Sequence, residues 1–325
     1  MDIRPIFLFS ISRSGSTLVQ RIIGAHNGVA TVSEPWLLLP HIYSFRREGI
    51  DAEYPHAAMV DAIEDFSQEL PAGIDDYRQE MHDYILRLYR KAAGPEALYF
   101  LDKSPYYFVA REIIALFPEG KFVFLWRNPL SIAASSMATW EAQWKPTLFR
   151  QELFVGLPRL VEACQDSDVP VHSMRYEDLI SGSGSYWEPL MDYLGLPFNP
   201  DALEHFSQVK LNGRMGDPTG VTQYSTLSTE PIHKWKAALA NPLRKEWCRR
   251  YLTFLGDNRL ATMGYDGGKL RQELEATPAS MESFLPDLGR LVKDVAKEPI
   301  RVRTRNHRIG GPNVIRELLK PQLRP

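Results

Sequence analysis

Cysteines, long apolar runs and excess charge are all scarce in this sequence, and each scarcity excludes a class of protein. The 325 residues include two cysteines, Cys164 and Cys248, too few for a disulfide framework or a cysteine metal cage. No apolar run approaches the roughly 18 residues of a membrane-spanning helix, and the apolar N-terminus reaches polar Ser12 too early for a secretory signal. We therefore expect no membrane span and a cytoplasmic location.

Charge of either sign is nearly balanced over the whole chain. There are 38 Lys and Arg residues against 40 Asp and Glu residues, which excludes a globally basic nucleic-acid-binding protein. The balance hides an asymmetry, because residues 297–325 contain eight basic and two acidic residues, leaving 30 basic and 38 acidic residues before them. An acidic body followed by a basic arm is predicted.

Five short apolar runs rich in β-branched and aromatic residues are typical of buried strands. They span residues 5–11, 29–33, 98–102, 121–126 and 169–175. Helical patterns separate them, and alternation of strands and helices predicts an α/β fold in which helices flank a parallel β-sheet. The charged helical segment 41–95 is longer than a simple crossover requires, so we expect an insertion that could cover a substrate.

A loop rich in serine and glycine follows the first predicted strand. Ser14, Gly15, Ser16 and Thr17 precede an amphipathic helix, a position where backbone N–H groups and the helix dipole favour a phosphate. The loop lacks the lysine of a Walker A motif, because Ser16 stands in its place, so the ligand would lack a nucleoside triphosphate tail. A simple turn that starts a helix is the alternative interpretation.

A second candidate anion site follows the fourth predicted strand. This strand ends at Arg127, whereas a nucleotide kinase would be expected to end a core strand with a Mg²⁺-binding Asp. Pro129 suits a first helical turn, and Ser135 lies two turns further on. A guanidinium with a hydroxyl can bind phosphate without metal, although Arg127 could instead pair with a neighbouring carboxylate.

Together these segments resemble the sulfotransferases that use 3′-phosphoadenosine 5′-phosphosulfate (PAPS), especially the bacterial and tyrosylprotein-type branch. The run from Arg13 to Leu18 resembles their 5′-phosphosulfate loop, and Arg127 with Ser135 resembles their 3′-phosphate site. Tyr176 in Arg-Tyr-Glu-Asp-Leu is similar to the tyrosine that lies against adenine. The resemblance covers about residues 5–265 and implies a P-loop-type fold with PAPS as co-substrate and no metal. It implies a sulfotransferase domain over 1–265, with its helical insertion near the acceptor, and a C-terminal extension over 266–325.

The resemblance also implies roles at the reaction centre. Glu34, after the second predicted strand, corresponds to the catalytic base, while Arg13 and Lys103 would neutralise charge near the transferring sulfuryl group. Arg214 partly matches a loop that closes over the 3′-phosphate, with Met215 in place of a lysine. Some relatives use a histidine as base, so His26 and His41 are alternatives to Glu34. The eight histidines show no metal-ligand spacing.

The acceptor is less defined than the donor. We expect a hydroxyl-bearing acceptor, a carbohydrate or small metabolite, for which Trp36, Tyr106, Tyr107, Trp140 and Trp144 could form an aromatic platform. Trp140 and Trp144 lie at i,i+4, a spacing that more often reflects ordinary helix packing. A nucleotide-dependent kinase with a degenerate P-loop is the rival enzyme, and the missing lysine counts against it. A non-catalytic binding protein that holds an acidic partner with its basic arm is the other rival. The oligomeric state stays open.

Overall fold

A computed structural model describes residues 3–139, 144, 150–181, 184–216 and 228–292. The predicted basic arm and Trp140 lie outside these residues. The five strands are β1 (Arg4–Phe9), β2 (Val29–Thr31), β3 (Tyr99–Asp102), β4 (Lys121–Trp126) and β5 (Val171–Arg175). Each lies within one residue of a predicted apolar run or inside it, so the sequence prediction of all five strands is confirmed.

The helices of the described residues alternate with these strands, as predicted. They are α1 (Ser16–Gly24), α2 (Leu38–Ile42), α3 (His56–Ser67), α4 (Ile74–Ala93), α5 (Ala110–Leu116), α6 (Pro129–Thr139), α7 (Leu157–Gln165), α8 (Tyr176–Ser181), α9 (Glu188–Leu194), α10 (Ala202–His205), α11 (Lys234–Ala238), α12 (Pro242–Thr262) and α13 (Gly267–Ala276). Within the described residues, no helix is long and apolar enough to cross a membrane.

The strands form one parallel sheet in the order β2-β3-β1-β4-β5. Phe7 in central β1 lies opposite Asp102 of β3 and Phe122 of β4, so the carboxyl ends of these strands meet at one edge. Both faces of β1 are buried, which explains its continuous apolar run. The α/β fold with helices on both faces of a parallel sheet is therefore confirmed.

Alternate residues of the central strands supply two hydrophobic cores. On one face, Phe7, Phe9 and Phe122 stack with ring centroids 5.8–6.1 Å apart, and α4, α7 and α12 cover them. On the opposite face, Ile6 and Leu8 pack under α1, α8 and α9. The sheet is thus held rigidly between two layers of helices, and the loops at its carboxyl edge start from fixed positions.

The segment 41–95 is helical, as expected, and its longer helix covers the sheet. In α4, Met81, Ile85 and Tyr89 are buried, and the Tyr89 ring stacks on Phe100 of β3 with centroids 4.4 Å apart. The helix therefore belongs to the crossover between β2 and β3. Its contribution to acceptor binding remains a prediction.

Candidate active site

The loop between β1 and α1 has the geometry of an anion cradle. Gly15 precedes α1 with φ +88°, and neither a side-chain cap nor an acidic residue occupies the first turn of this helix. Ser14, Ser16 and Thr17 are buried, and Ser14 Oγ has no hydrogen-bond partner among the described residues. A buried hydroxyl without a partner beside an uncapped helix N-terminus fits a phosphate or sulfate group.

Arg13 connects this loop to the second predicted anion site. Its Nε lies 3.3 Å from Ser135 Oγ, and its backbone carbonyl accepts a 2.7 Å hydrogen bond from Arg127 Nη1. Its φ of +67° is unusual for a residue with a side chain. The structure therefore brings together two segments that are more than 110 residues apart in the sequence.

Arg127 is buried between the loop and Tyr176. Its guanidinium carbon lies 4.7 Å from the centre of the Tyr176 ring, and its Nε has no hydrogen-bond partner among the described residues. No described carboxylate forms an ion pair with it, so the alternative of simple ion pairing finds no support there. Asn128 follows it and caps α6, accepting a bond from the Leu130 backbone N–H. The end of β4 therefore holds a cation with unused donor capacity.

Tyr176 lies directly against Gly15. A Cβ atom added at Gly15 would come within 2.3 Å of the Tyr176 ring. Glycine is thus required twice here, for its left-handed backbone and for the close approach of an aromatic ring. Ser135, Arg127, Tyr176 and the loop form one contiguous group that we call the donor side.

Glu34 and Lys103 form an ion pair on the other side of the loop. Lys103 Nζ lies 2.5 Å from Glu34 Oε1, with side-chain exposures of 8% for Lys103 and 18% for Glu34. Trp36 Nε1 donates a 3.1 Å hydrogen bond to Glu34 Oε2. Both carboxylate oxygens therefore have a donor, and the orientation of Glu34 is well determined.

A buried carboxylate that the sequence analysis missed supports this pair. Asp102, at the end of β3, accepts hydrogen bonds from Tyr89 (2.6 Å), Ser104 (2.7 Å) and Tyr106 (2.9 Å). Ser104 Oγ in turn accepts a bond from the backbone N–H of Trp36, whose φ is +54°. Burial raises the pKa of Asp102 from 3.8 to about 6. Its position before Lys103 was a signal that sequence reasoning could have used.

A second missed carboxylate, Glu152, belongs to a π-helical turn, Glu152–Gly156. Its Oε1 accepts hydrogen bonds from Ser12 Oγ at 3.0 Å and from Tyr107 OH at 3.2 Å. Burial raises the pKa of this carboxyl group, and the nearby charge of Glu34 acts in the same direction. No local motif marks Glu152, because its partners are distant in sequence. We call Glu34, Trp36, Lys103, Asp102 and Glu152 the acceptor side.

The remaining candidates lie further from this group. Arg214 is exposed in a segment beside Ser33, whose backbone N–H donates to Asn212 O at 2.9 Å. No hydrogen bond or ion pair joins Arg214 to Arg127 or Ser135 within the described residues. His26 Nδ1 accepts a bond from the Gly28 N–H and so stabilises the turn after α1. The His41 ring packs edge-on against Tyr84, and burial lowers its pKa.

The aromatic residues proposed as a platform separate into two groups. Trp36 is 40% exposed beside Glu34. Tyr106, Tyr107 and Trp144 are buried: the Tyr106 hydroxyl bonds to Asp102, the Tyr107 hydroxyl bonds to Glu152, and the Trp144 ring packs against Trp247. These three residues therefore do not form an exposed platform, because apolar burial and internal hydrogen bonds use their rings and hydroxyls. Among the described residues, no group of three or more His, Cys, Asp or Glu side chains could hold a metal ion.

A curated protein is similar in sequence to part of this chain. The chain is 32% identical over 175 residues to the nodulation protein NoeE of Sinorhizobium fredii (strain NBRC 101917 / NGR234). That match covers 52% of this chain and 36% of NoeE, so the chain spans little more than a third of that relative.

Solved structures with similar folds include the sulfotransferase domain from the curacin biosynthetic pathway, at 21% identity and a TM-score of 0.49, covering 81% of this chain and 98% of that one. Mouse sulfotransferase SULT7A1 complexed with PAP is 11% identical, with a TM-score of 0.46 over 84% of this chain and 89% of that one. The model of the sulfotransferase family matches residues 5–200, more than half of the sequence. The chain belongs to the sulfotransferase family.

Proposed function

We propose that this protein transfers the sulfuryl group of PAPS to a hydroxyl of a carbohydrate or small-molecule acceptor, with Glu34 as the base. One observation carries the proposal: Arg13 contacts both Ser135 and Arg127, so the loop after β1 and the end of β4 form a single anion site. A nucleotide with phosphates on both the 5′ and 3′ positions of its ribose matches such a site. The chemistry of the donor set thus fits PAPS.

The proposed donor contacts divide by position. Backbone N–H groups of residues 14–17 would bind the 5′-phosphosulfate at the N-terminus of α1. Arg127 and Ser135 would bind the 3′-phosphate, and the buried Tyr176 ring would lie against the adenine. Ser14 Oγ and Arg127 Nε, which lack partners among the described residues, are donors available to these groups. Arg214 is proposed as an additional contact to the 3′-phosphate, supported only by its partial motif.

The proposed reaction needs a base near the acceptor oxygen and cations near the transferring and departing groups. Glu34 would accept the acceptor hydroxyl proton while the acceptor oxygen forms a bond to sulfur and the bond from sulfur to the 5′-phosphate oxygen breaks. Lys103 and Arg13 would neutralise the charge on the sulfuryl and departing phosphate oxygens. Lys103 pairs with Glu34 in this structure, so the same ammonium group orients the base and lies beside the site of charge development.

A polyhydroxylated acceptor suits the exposed wall of the acceptor side. The 40% exposed indole of Trp36 lies beside Glu34, and an apolar ring next to a carboxylate can bind the C–H face and the hydroxyls of a sugar. A cytoplasmic location is part of the proposal, supported by the free thiols of Cys164 and Cys248.

Binding of 3′,5′-ADP, measured by calorimetry against ATP with Mg²⁺, tests the donor assignment. We expect 3′,5′-ADP to bind more tightly, and tighter binding of ATP with Mg²⁺ would favour the kinase alternative. Labelled PAPS incubated with host metabolites and glycans then identifies the acceptor. Arg127→Ala should weaken 3′,5′-ADP binding, while Arg250→Ala, at an exposed arginine paired with Glu246, should leave it unchanged.

A further inference from the structure

Glu152 is a carboxylate beside the reaction centre that the proposed chemistry does not use. It links three parts of the chain, because Ser12 and Tyr107, its two hydroxyl donors, are 140 and 45 residues away in sequence. It also begins a π-helical turn, Glu152–Gly156, and such turns occur frequently at functional sites. The position of Glu152 in this turn therefore suggests a role in the site.

The surroundings of Glu152 make its charge unfavourable. Burial raises the pKa of Glu152, and the negative charge of Glu34 adds to this effect, while hydrogen bonds from Ser12 and Tyr107 oppose it. A neutral side chain would avoid the desolvation penalty. Glu152 therefore contributes to the site through the hydrogen bonds that it accepts, and its negative charge is not needed for them.

Those hydrogen bonds act on the residue next to Arg13. Ser12 immediately precedes Arg13, which has a left-handed φ of +67° that L-residues avoid. In this conformation the Arg13 carbonyl accepts the bond from Arg127, and its guanidinium reaches Ser135. Holding Ser12 in place therefore holds the residue that joins the two anion sites.

We infer that Glu152 is a positioning residue: by holding Ser12 against Tyr107, it keeps Arg13 aimed at the transferring group and sets the donor loop against the acceptor side. Glu152 acts through Ser12, because the hydrogen bonds that it accepts come from other side chains of the protein. The kinetic part of this inference depends on the proposed sulfuryl transfer, while its structural part does not.

Two substitutions test whether Glu152 acts through the hydrogen bonds that it accepts. Glu152→Gln keeps an oxygen that can accept both hydroxyl bonds, whereas Glu152→Ala removes it. We expect Glu152→Ala to lower kcat about 10- to 100-fold and Glu152→Gln to lower it much less, since Gln keeps the oxygen that accepts both hydroxyl bonds. The acceptor KM should stay within about 3-fold of wild type, because neither variant removes a group that contacts the acceptor. Glu162→Ala, at a half-exposed glutamate of α7, is the matched control and should behave as wild type.

A double-mutant cycle tests whether Glu152 works through Ser12. If it does, Ser12→Ala combined with Glu152→Ala should be no slower than the slower single variant, because both remove the same restraint. Additive losses would overturn the inference. A loss in Glu152→Gln as complete as in Glu34→Ala would also overturn it, because Glu152 would then be accepting a proton itself.

Hydrogen exchange provides a readout that does not require activity. In Glu152→Ala, amides of the peptide covering residues 10–17 should exchange faster than in wild type, and those in Glu162→Ala should not. Unchanged exchange would overturn the inference even if no sulfuryl transfer is found. Failure of the wild type to bind 3′,5′-ADP would instead remove the proposed function. If Glu152→Ala does not fold, Ser12→Ala and Tyr107→Phe each remove one of the two bonds and should show the same, smaller changes.

Discussion

The donor side and the acceptor side are built in different ways. The donor side uses backbone N–H groups, glycine and cations, and most of its residues come from two short segments, 12–17 and 127–135. The acceptor side contains three carboxylates, Glu34, Asp102 and Glu152, with Lys103 as the cation paired to Glu34. A loop motif can provide anion binding with few tertiary contacts, whereas a base needs a network of neighbours to orient it.

Removing Glu34, the proposed base, should give the largest effect and separates the two sides most clearly. We expect Glu34→Ala to lower kcat about 10²- to 10⁴-fold, the usual contribution of a general base. Binding of 3′,5′-ADP should change little, because Glu34 lies outside the donor side. Steady-state kinetics with labelled PAPS and calorimetry with 3′,5′-ADP measure the two quantities. Near-normal product formation would falsify the assignment of Glu34 as base.

Removing a donor-side cation should show the opposite pattern. Arg127→Ala should weaken 3′,5′-ADP binding about 10- to 100-fold, the range expected for charged hydrogen bonds, with a smaller change in kcat at saturating donor. Calorimetry checks the affinity, and Arg250→Ala serves as the control. A loss of about 10- to 100-fold in kcat with unchanged 3′,5′-ADP affinity would mean that Arg127 acts in the chemical step. The proposed difference between the two sides would then be wrong.

The titration of Asp102 should make the free energy of unfolding depend on pH. Its folded pKa of about 6 lies above the ordinary value of 3.8, so its carboxyl group stabilises the fold most at low pH, and this contribution is lost as the pH rises through 6. Asp102→Asn abolishes the titration. The substitution should therefore be more destabilising at about pH 4.5 than at about pH 7.5, by about 2 kcal/mol.

Urea unfolding of the wild type and Asp102→Asn at the two pH values measures this difference. Asp192→Asn, at an exposed position, is the control and should show the same change in unfolding free energy at both. A pH-independent effect of Asp102→Asn would mean that Asp102 does not titrate within this range in the folded protein.

The smallest expected effect concerns the packing of the donor side. Gly15→Ala should cost about 1–2 kcal/mol for the left-handed backbone alone, and its Cβ must also displace the Tyr176 ring. Gly195→Ala is the matched control, because Gly195 has a φ of +73° and its added Cβ would make an ordinary 3.5 Å contact with Tyr99. Thermal unfolding should show a loss in both variants, and only Gly15→Ala should also weaken 3′,5′-ADP binding. Equal affinities in the two variants would argue against Tyr176 as part of the donor side.

The sequence analysis named more residues of the donor side than of the acceptor side, and the reason is physical. Strand β1 is buried on both faces, so its apolar run is conspicuous, and the residues of the loop act mainly through their backbone. The burial of Tyr106, Tyr107 and Trp144 could not be read from the sequence, because an aromatic residue has the same sequence signature whether its ring is buried or exposed. The sequence analysis missed Asp102 and Glu152 because nothing in the sequence distinguishes a buried carboxylate from an exposed one in a chain with 40 acidic residues.

The sequence by itself determined the five strands, the serine- and glycine-rich loop after β1, Arg127 at the end of β4 and the family to which these motifs point. These features follow from local apolar patterning and from residue types at short spacing. The tertiary structure alone decided that Arg13 contacts both Ser135 and Arg127, that Glu34 pairs with Lys103 and Trp36, and that Glu152 bonds to Ser12. These contacts join residues that only the order of the parallel strands brings to one edge, and their energies depend on burial that no local pattern reveals.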